Sequence, residues 1–514
     1  MNEHPAFRAK RLAALFSRLV AFTAAFQLFS YVTADPDLWG HVLFGRHLAE
    51  TGALARVDPY SFTALGRPWI NHEWLCELLF YWTFAGLSST GLLFGKLFLG
   101  LVLIGMLWAT CRLRPHEPLV FAMVMLLAAF TLRHGYMVRP QVFSFVLFGL
   151  FVLVIHSKLV RDKNALFLLP LSTIFWVNVH GGVLMGLVYL GAVVSWITFF
   201  KLAFRRNVRG LEQWWLILGL SMAATLVNPY GWRLLGFFYH SLSVPRTISE
   251  WAPVPLWGAS FPFFKIMALL TLAVFAFKGR KNQGWEVVGI GLTLYAAFRH
   301  QRHIPFFAIA AAPYLVSGLS SIIWKVREKF PRLAITRPSW YVLATVLAVV
   351  AGFQAHLGVR TYRASHYQVF VDPTVYPVAG MQFLSMNQAE GNLILPFTWG
   401  EYAIWKRYPH SLVSVDGRFR TVYPEKVIQD HLQATKGAAE WMALLEKYPE
   451  GDLSITYRFV GLKELASKSG EWVPLYDGPI SLVMVKDNGK NQNLIEKYKA
   501  GELSYPPKLD IFFP

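Results

Sequence analysis

The sequence predicts a polytopic α-helical membrane domain followed by a soluble α/β domain. Three observations carry this. Only 15% of the 514 residues are Asp, Glu, Lys or Arg and 55% are hydrophobic, whereas soluble domains carry about 25% charged residues. The mean hydropathy is +0.39. The charge is also segregated: residues 360–514 hold 17 Lys or Arg and 17 Asp or Glu, so the whole formal net charge of +19 belongs to residues 1–359.

Basic residues set between apolar runs act as topology signals before they act as phosphate contacts, so the pI of about 9.8 does not imply nucleic acid as a partner. Two cysteines, Cys76 and Cys111, exclude a disulfide framework and a Cys-rich metal site. The N-terminal apolar run lacks a small-residue cleavage site and reads as a retained anchor.

A crossing helix needs roughly 20 apolar residues. Candidate spans lie near 13–33, 91–111, 118–132, 140–157, 164–179, 182–204, 211–228, 260–277, 284–298, 304–324 and 339–358, about eleven in all. Residues 73–87 are also apolar and helical in pattern. If they lie in the membrane plane on the outer face, the intracellular loops hold 20 Lys or Arg and the outer loops nine, the bias expected of cytoplasmic loops. The expectation is therefore a cytoplasmic N-terminus, a first outer loop at 34–90, and residues 360–514 outside, in a bacterial inner (plasma) membrane. In that tail the pattern predicts strands at 392–396, 412–416 and 453–457, helices at 400–408 and 426–448, and a closing hairpin around 477–486.

The candidate chemistry sits on the predicted outer face. Asp35, Asp37, Glu50, Asp58, Glu73 and Glu77 fall in or beside the first outer loop, and Glu250 is the one other outer acid of residues 1–359. Carboxylates at a hydrocarbon boundary are costly unless paired or functional. All nine outer basic residues are arginines, several travelling with histidine: Arg133, His134 and Arg139 in RHGYMVR, and Arg299, Arg302 and His303 in RHQRH. Guanidinium forks match phosphate oxygens bidentately, although arginines also snorkel to lipid headgroups. A carboxylate to take a proton from an acceptor, with cations to hold a departing phosphate, is what transfer from a phosphate leaving group needs. Asn178 and His180 read as a hydrogen-bonded helix end. No zinc-protease, P-loop, nucleophile-elbow or dinucleotide motif is present.

The run ADPDLWGHVLFGRHLAETGALARVDPYSFTALGRPWINHEW, from residue 34, resembles the first outer loop of GT-C membrane glycosyltransferases, above all the oligosaccharyltransferase catalytic subunit. Asp35-Pro36 and Asp58-Pro59-Tyr60 match that family's D-P and later D-P-Y elements. TISE at 247–250, closing at Glu250, is similar to its T-I-x-E motif. TWGEYAIWKRYPHSLVSVDGR at 398–418 resembles its W-W-D-Y-G segment with a downstream D-G.

The resemblance implies a GT-C fold and a catalytic acid at Asp35, with Asp37 standing where the family has an aromatic and open as the alternative. It further implies Glu250 beside the reacting groups and acceptor contacts from Trp399, Glu401, Tyr402 and Asp416. RHGYMVR carries no acid where the family has D-x-D or D-x-E metal ligands, so no metal or other cofactor is expected; Mg²⁺ or Mn²⁺ is the less favoured alternative. GT-C enzymes that use polyprenyl-phosphate monosaccharides without a metal match this Arg-rich, acid-poor design better.

The sequence thus reads as a membrane glycosyltransferase. It would move a sugar from a polyprenyl-phosphate-linked donor, within membrane lipid, to an unknown glycan, lipid or protein acceptor. A transporter or flippase of polar or lipid-linked cargo would need ionisable residues or helix breaks at mid-membrane, and the charged residues within the span limits, Arg18, Lys96, Lys201, Glu212, Lys265 and Glu286, each lie near an end. A non-catalytic scaffold leaves the outer acids and arginines without a purpose.

Overall fold

The computed structural model describes residues 5–243, 249–281, 283–331 and 336–514; Arg246, Thr247 and Ile248 lie outside the described residues. The chain forms two compact units. One comprises Met1–Tyr31 with Leu93–Tyr367, the other Val32–Leu92 with Gln368–Pro514.

The first unit is helical, as its continuous apolar runs dictate. Helices occupy all eleven runs: Pro5–Phe29, Trp74–Cys111, Pro118–Arg133, Gln141–Arg161, Leu168–Val179, Val183–Ala203, Leu211–Ala224, Pro262–Lys278, Gly284–Arg299, Ile304–Lys329 and Arg337–Ala364. Among the described residues six helices are long and apolar enough to cross a membrane, while Pro118–Arg133 and Leu168–Val179 are shorter apolar helices. The chain is accordingly a multi-pass membrane protein. A further short helix, Arg233–Ser243, was not signalled by an apolar run.

Small residues let these helices approach closely. Ala9 and Ala13 of Pro5–Phe29 pack with Trp340 and Ala344 of Arg337–Ala364, and Val20 packs with Ala122, Leu347 and Ala351 one layer on. His180 ends Leu168–Val179 as a hydrogen-bonded cap, its Nδ1 2.7 Å from Ser144 Oγ.

Trp74–Cys111 is divided by Ser88, whose φ of 54° and ψ of −160° are not helical. The break falls where hydropathy separates 73–87 from 91–111. The two units part just beyond it, between Leu92 and Leu93.

The second unit is built on a four-stranded sheet of β1 (Leu393–Ile394), β2 (Leu453–Tyr457), β3 (Trp472–Asp477) and β4 (Ser481–Lys486), in the order β1-β2-β4-β3. β1 runs parallel to β2, and the other pairs are antiparallel. Ile394, Leu462, Met484 and the flanking helix residues Trp441 and Leu444 form its core. Two expectations need correction. Residues 412–416 are not a strand: Val413 makes isolated bridges to Ser61 and to Leu393. The helix over 426–448 is two helices, Glu425–Ala434 and Ala438–Lys447, separated by extended backbone at Gly437, a poor helix former.

The first loop is sewn to the tail by backbone bonds. Ala34 N–H donates to Phe370 O at 2.7 Å, Phe370 N–H to Val32 O at 2.8 Å, and Val413 N–H to Tyr60 O at 3.1 Å.

Candidate functional site

In the second unit the chain turns at Asp35-Pro36-Asp37 into the helix Leu38–Thr51. Asp35 is 2% exposed, and its Oδ1 accepts the Asp37 N–H at 3.1 Å, a local side-chain turn of the kind Asp favours. Asp37 stands at the N-cap position, yet its side chain makes no capping bond there. Its carboxylate instead faces Glu401.

Glu401 lies in the helix Gly400–Arg407, which packs on Leu38–Thr51, and is only 3% exposed. Its Oε2 accepts the Gly40 N–H at 3.1 Å. A Cβ added to Gly417 would lie 2.5 Å from both Asp37 Oδ1 and Glu401 Oε1, which puts these two oxygens within about 5 Å of each other, a range at which like charges oppose each other's ionisation. Burial pushes the Glu401 carboxyl well above the usual carboxylate range, and the charges of Asp37, Asp416 and Glu77 push the same way while Arg418 opposes them. Burial and the neighbouring charges thus favour the protonated form of Glu401, beside Asp37.

Asp416 is fully buried and is held by Arg418, whose Nε and Nη2 reach its two oxygens at 2.9 and 2.6 Å. Arg418 Nη1 reaches Asp58 Oδ1 at 2.7 Å, and Tyr423 OH donates to Asp416 at 2.6 Å. The guanidinium lies over the rings of Phe44, Tyr60 and Trp69 at 5.4, 5.0 and 4.9 Å. A buried Arg flanked by two carboxylates and aromatic faces is a satisfied ionic centre. Trp399 and Tyr402 are buried as well: Trp399 Nε1 donates to Val375 O at 2.9 Å, and the Tyr402 ring packs on Trp39 at 4.8 Å. All four residues matched to acceptor contacts thus spend their polar groups or faces within the protein.

In the first unit, Arg133 and His134 end the helix Pro118–Arg133 and line a cavity of about 470 Å³, whose walls include Tyr31, Phe130, Phe261 and Phe263. An exposed guanidinium and an imidazole lining a cavity with aromatic side chains suit a phosphate head with an apolar tail. Arg139 is paired with Glu250 at 2.5 Å, and Arg302 lies over the Trp251 ring at 4.7 Å. These contacts bring Arg139 and Arg302 to the single turn Ser249–Trp251. His303 packs on the same Trp251 ring at 6.2 Å, whereas Arg299 is exposed at the end of Gly284–Arg299. Glu250 belongs to this unit, and Asp35 and Asp37 to the other.

Among the described residues no three His, Cys, Asp or Glu side chains are grouped so as to hold a metal ion. Sequence reasoning missed the two glycines that admit the Glu401 carboxyl and the part of Arg418. The signal for Arg418 was the D-G-R run, with Asp two positions before Arg.

No protein-family profile and no curated protein sequence matches the chain. Its fold does have solved counterparts. An archaeal oligosaccharyltransferase, AglB from Archaeoglobus fulgidus, in complex with an inhibitory peptide and a dolichol-phosphate, superposes with a TM-score of 0.55 at 11% identity, over 88% of this chain and 69% of that one. The Archaeoglobus fulgidus oligosaccharyltransferase tethered to an acceptor peptide gives a TM-score of 0.52 at 12% identity, over 89% and 69%. The chain has a GT-C fold. At this identity the likeness is one of fold.

Proposed function

We propose that the chain is a GT-C-type glycosyltransferase that moves a sugar from a polyprenyl-phosphate carrier to a hydroxyl acceptor on the extracytoplasmic face. The observation that carries the reading is the cavity lined by Arg133, His134 and aromatic side chains, in a fold shared with a protein solved with dolichol-phosphate. The candidate acids Asp35 and Asp37 supply the second requirement, a carboxylate for the acceptor. As the acceptor oxygen bonds the anomeric carbon, the bond from that carbon to phosphate breaks and its electron pair leaves with the polyprenyl phosphate. The acceptor proton passes to an Asp carboxylate. Arg133, His134, Arg139 and Arg302 hold the phosphate as its charge develops.

The proposal includes about eleven crossings, a cytoplasmic N-terminus, an outer tail in a bacterial inner membrane, and chemistry independent of a divalent metal. Purified protein incubated with undecaprenyl-phosphate-linked sugars and membrane extract tests it. Sugar transfer with release of undecaprenyl phosphate, insensitive to EDTA, is expected. Absence of transfer from any lipid-phosphate donor would count against the reading, and EDTA-sensitive transfer restored by Mn²⁺ would overturn its metal-free part.

A further inference from the structure

We infer that Glu401 is a positioning residue for Asp37, its carboxyl held between the Gly40 N–H and the Asp37 carboxylate across the bare Cα of Gly417. The inference rests on the glycosyltransferase reading and deepens it, selecting Asp37 as the carboxylate that receives the acceptor proton.

Three features support it independently of charge. The Gly40 N–H fixes Glu401 Oε2 at 3.1 Å, and Glu401 fills the space that a side chain at position 40 would occupy. Gly417 leaves a gap that any Cβ would close, 2.5 Å from both carboxyl groups. The neighbouring pair Trp39 and Tyr402, rings 4.8 Å apart, pins the same two helices together, so Glu401 has little freedom to swing. A side chain this enclosed reaches no acceptor and acts through its neighbour. As a neutral group it orients the Asp37 carboxylate without repelling it, whereas a second anion there would oppose ionisation. Asp35, with one oxygen committed to the Asp37 N–H, shapes the turn that presents Asp37.

The test uses full-length protein in detergent, with an undecaprenyl-phosphate-linked sugar as donor and two kinds of readout. Glu401→Ala and Gly417→Ala should lower kcat by about 10- to 100-fold, the cost of slight misplacement of a reacting group, with the donor KM unchanged. Glu401→Gln, neutral and of the same shape, should recover most of that loss. In infrared spectra at pH 7 a protonated-carboxyl C=O band should vanish in Glu401→Gln and shift in Asp37→Asn. Full kcat in Glu401→Ala, equal deficits in the Ala and Gln variants, or a band indifferent to Asp37→Asn would each overturn the inference. Should wild-type protein transfer no sugar, the glycosyltransferase reading falls, and the infrared comparison still decides whether Glu401 and Asp37 are coupled.

Discussion

Arg418 and Asp58 stand 360 positions apart in the chain, yet Nη1 of one lies 2.7 Å from Oδ1 of the other. Asp58 also accepts the Tyr60 N–H at 2.9 Å and the Ser61 N–H at 3.3 Å, so it organises the turn of the D-P-Y segment while tying that turn to the tail. Both side chains are almost wholly buried.

Removing Arg418 strands two buried carboxylates, a change that typically costs about 3–5 kcal/mol. Arg418→Ala should therefore lower the melting temperature of the detergent-solubilised protein and expose residues 52–68 to protease. Arg418→Lys should recover only part of the loss, because an ammonium cannot fork onto both oxygens of Asp416 and also reach Asp58. An unchanged melting curve for Arg418→Ala would show the centre to be dispensable.

Asp37→Asn keeps the shape of the side chain and removes its charge. Turnover per folded molecule should fall by about 10² or more, the usual size of a general acid or base contribution, with little change in donor affinity. Asp35→Asn retains an oxygen able to accept the Asp37 N–H, so the smaller effect belongs to it. Wild-type turnover in both variants would end the assignment of a carboxylate to the acceptor proton.

Arg133→Ala should act on binding. Losing one charge-assisted hydrogen bond of roughly 1.5–3 kcal/mol corresponds to about 10- to 150-fold in donor affinity. Titration of undecaprenyl phosphate against wild type, Arg133→Ala and Arg133→Lys measures this, and Lys should rescue only partly. Equal affinities in all three would return Arg133 to the default role of a headgroup anchor.

Glu401 should make stability fall as pH rises. Its folded pKa is raised above the ordinary value of 4.5, so above that value the folded state binds more protons than the unfolded one. Stability then declines with pH by up to about 1.4 kcal/mol per unit until the folded pKa is passed. Glu401→Gln cannot titrate, so its stability relative to wild type should improve from pH 5 to pH 8. A difference in melting temperature that stays constant over this range would contradict a protonated Glu401.

The topology has its own test. The proposed topology has the lysine-containing loops inside and the tail outside, the arrangement that charge bias favours. A C-terminal phosphatase fusion active only after export should therefore be active, and activity confined to a fusion that works in the cytoplasm would invert the arrangement.

The helices of the first unit were legible because long apolar runs such as 140–157 and 304–324 carry their signal within one segment. The tail was less so. Leu412–Asp416 alternates like a strand, but its partners are single residues, Leu393 nearby and Ser61 some 350 positions earlier, and the bridge at Ser61 leaves no local trace. In the site, the ADPD run announced Asp35 and Asp37 because both follow directly from the end of the first helix. Glu401 could be matched to a motif but not to its task, since that depends on Gly40 and on the missing side chain of Gly417. Glu250 could be matched to a motif as a third candidate acid, and its ion pair with Arg139 is invisible without the fold.

The stitching between residues 32–92 and the tail bears on how such proteins can be recombined. The sheet carries its own core, but Val413 bridges Ser61, and Arg418 shares its charge with Asp58. A tail transplanted without its loop would arrive with an open backbone edge and with Arg418 paired to Asp416 alone, stripped of the Phe44, Tyr60 and Trp69 rings. The inheritable piece is a discontinuous one, two stretches of chain separated by most of a membrane domain. Shuffling by simple fusion would break it, whereas divergence within the membrane helices would leave it whole.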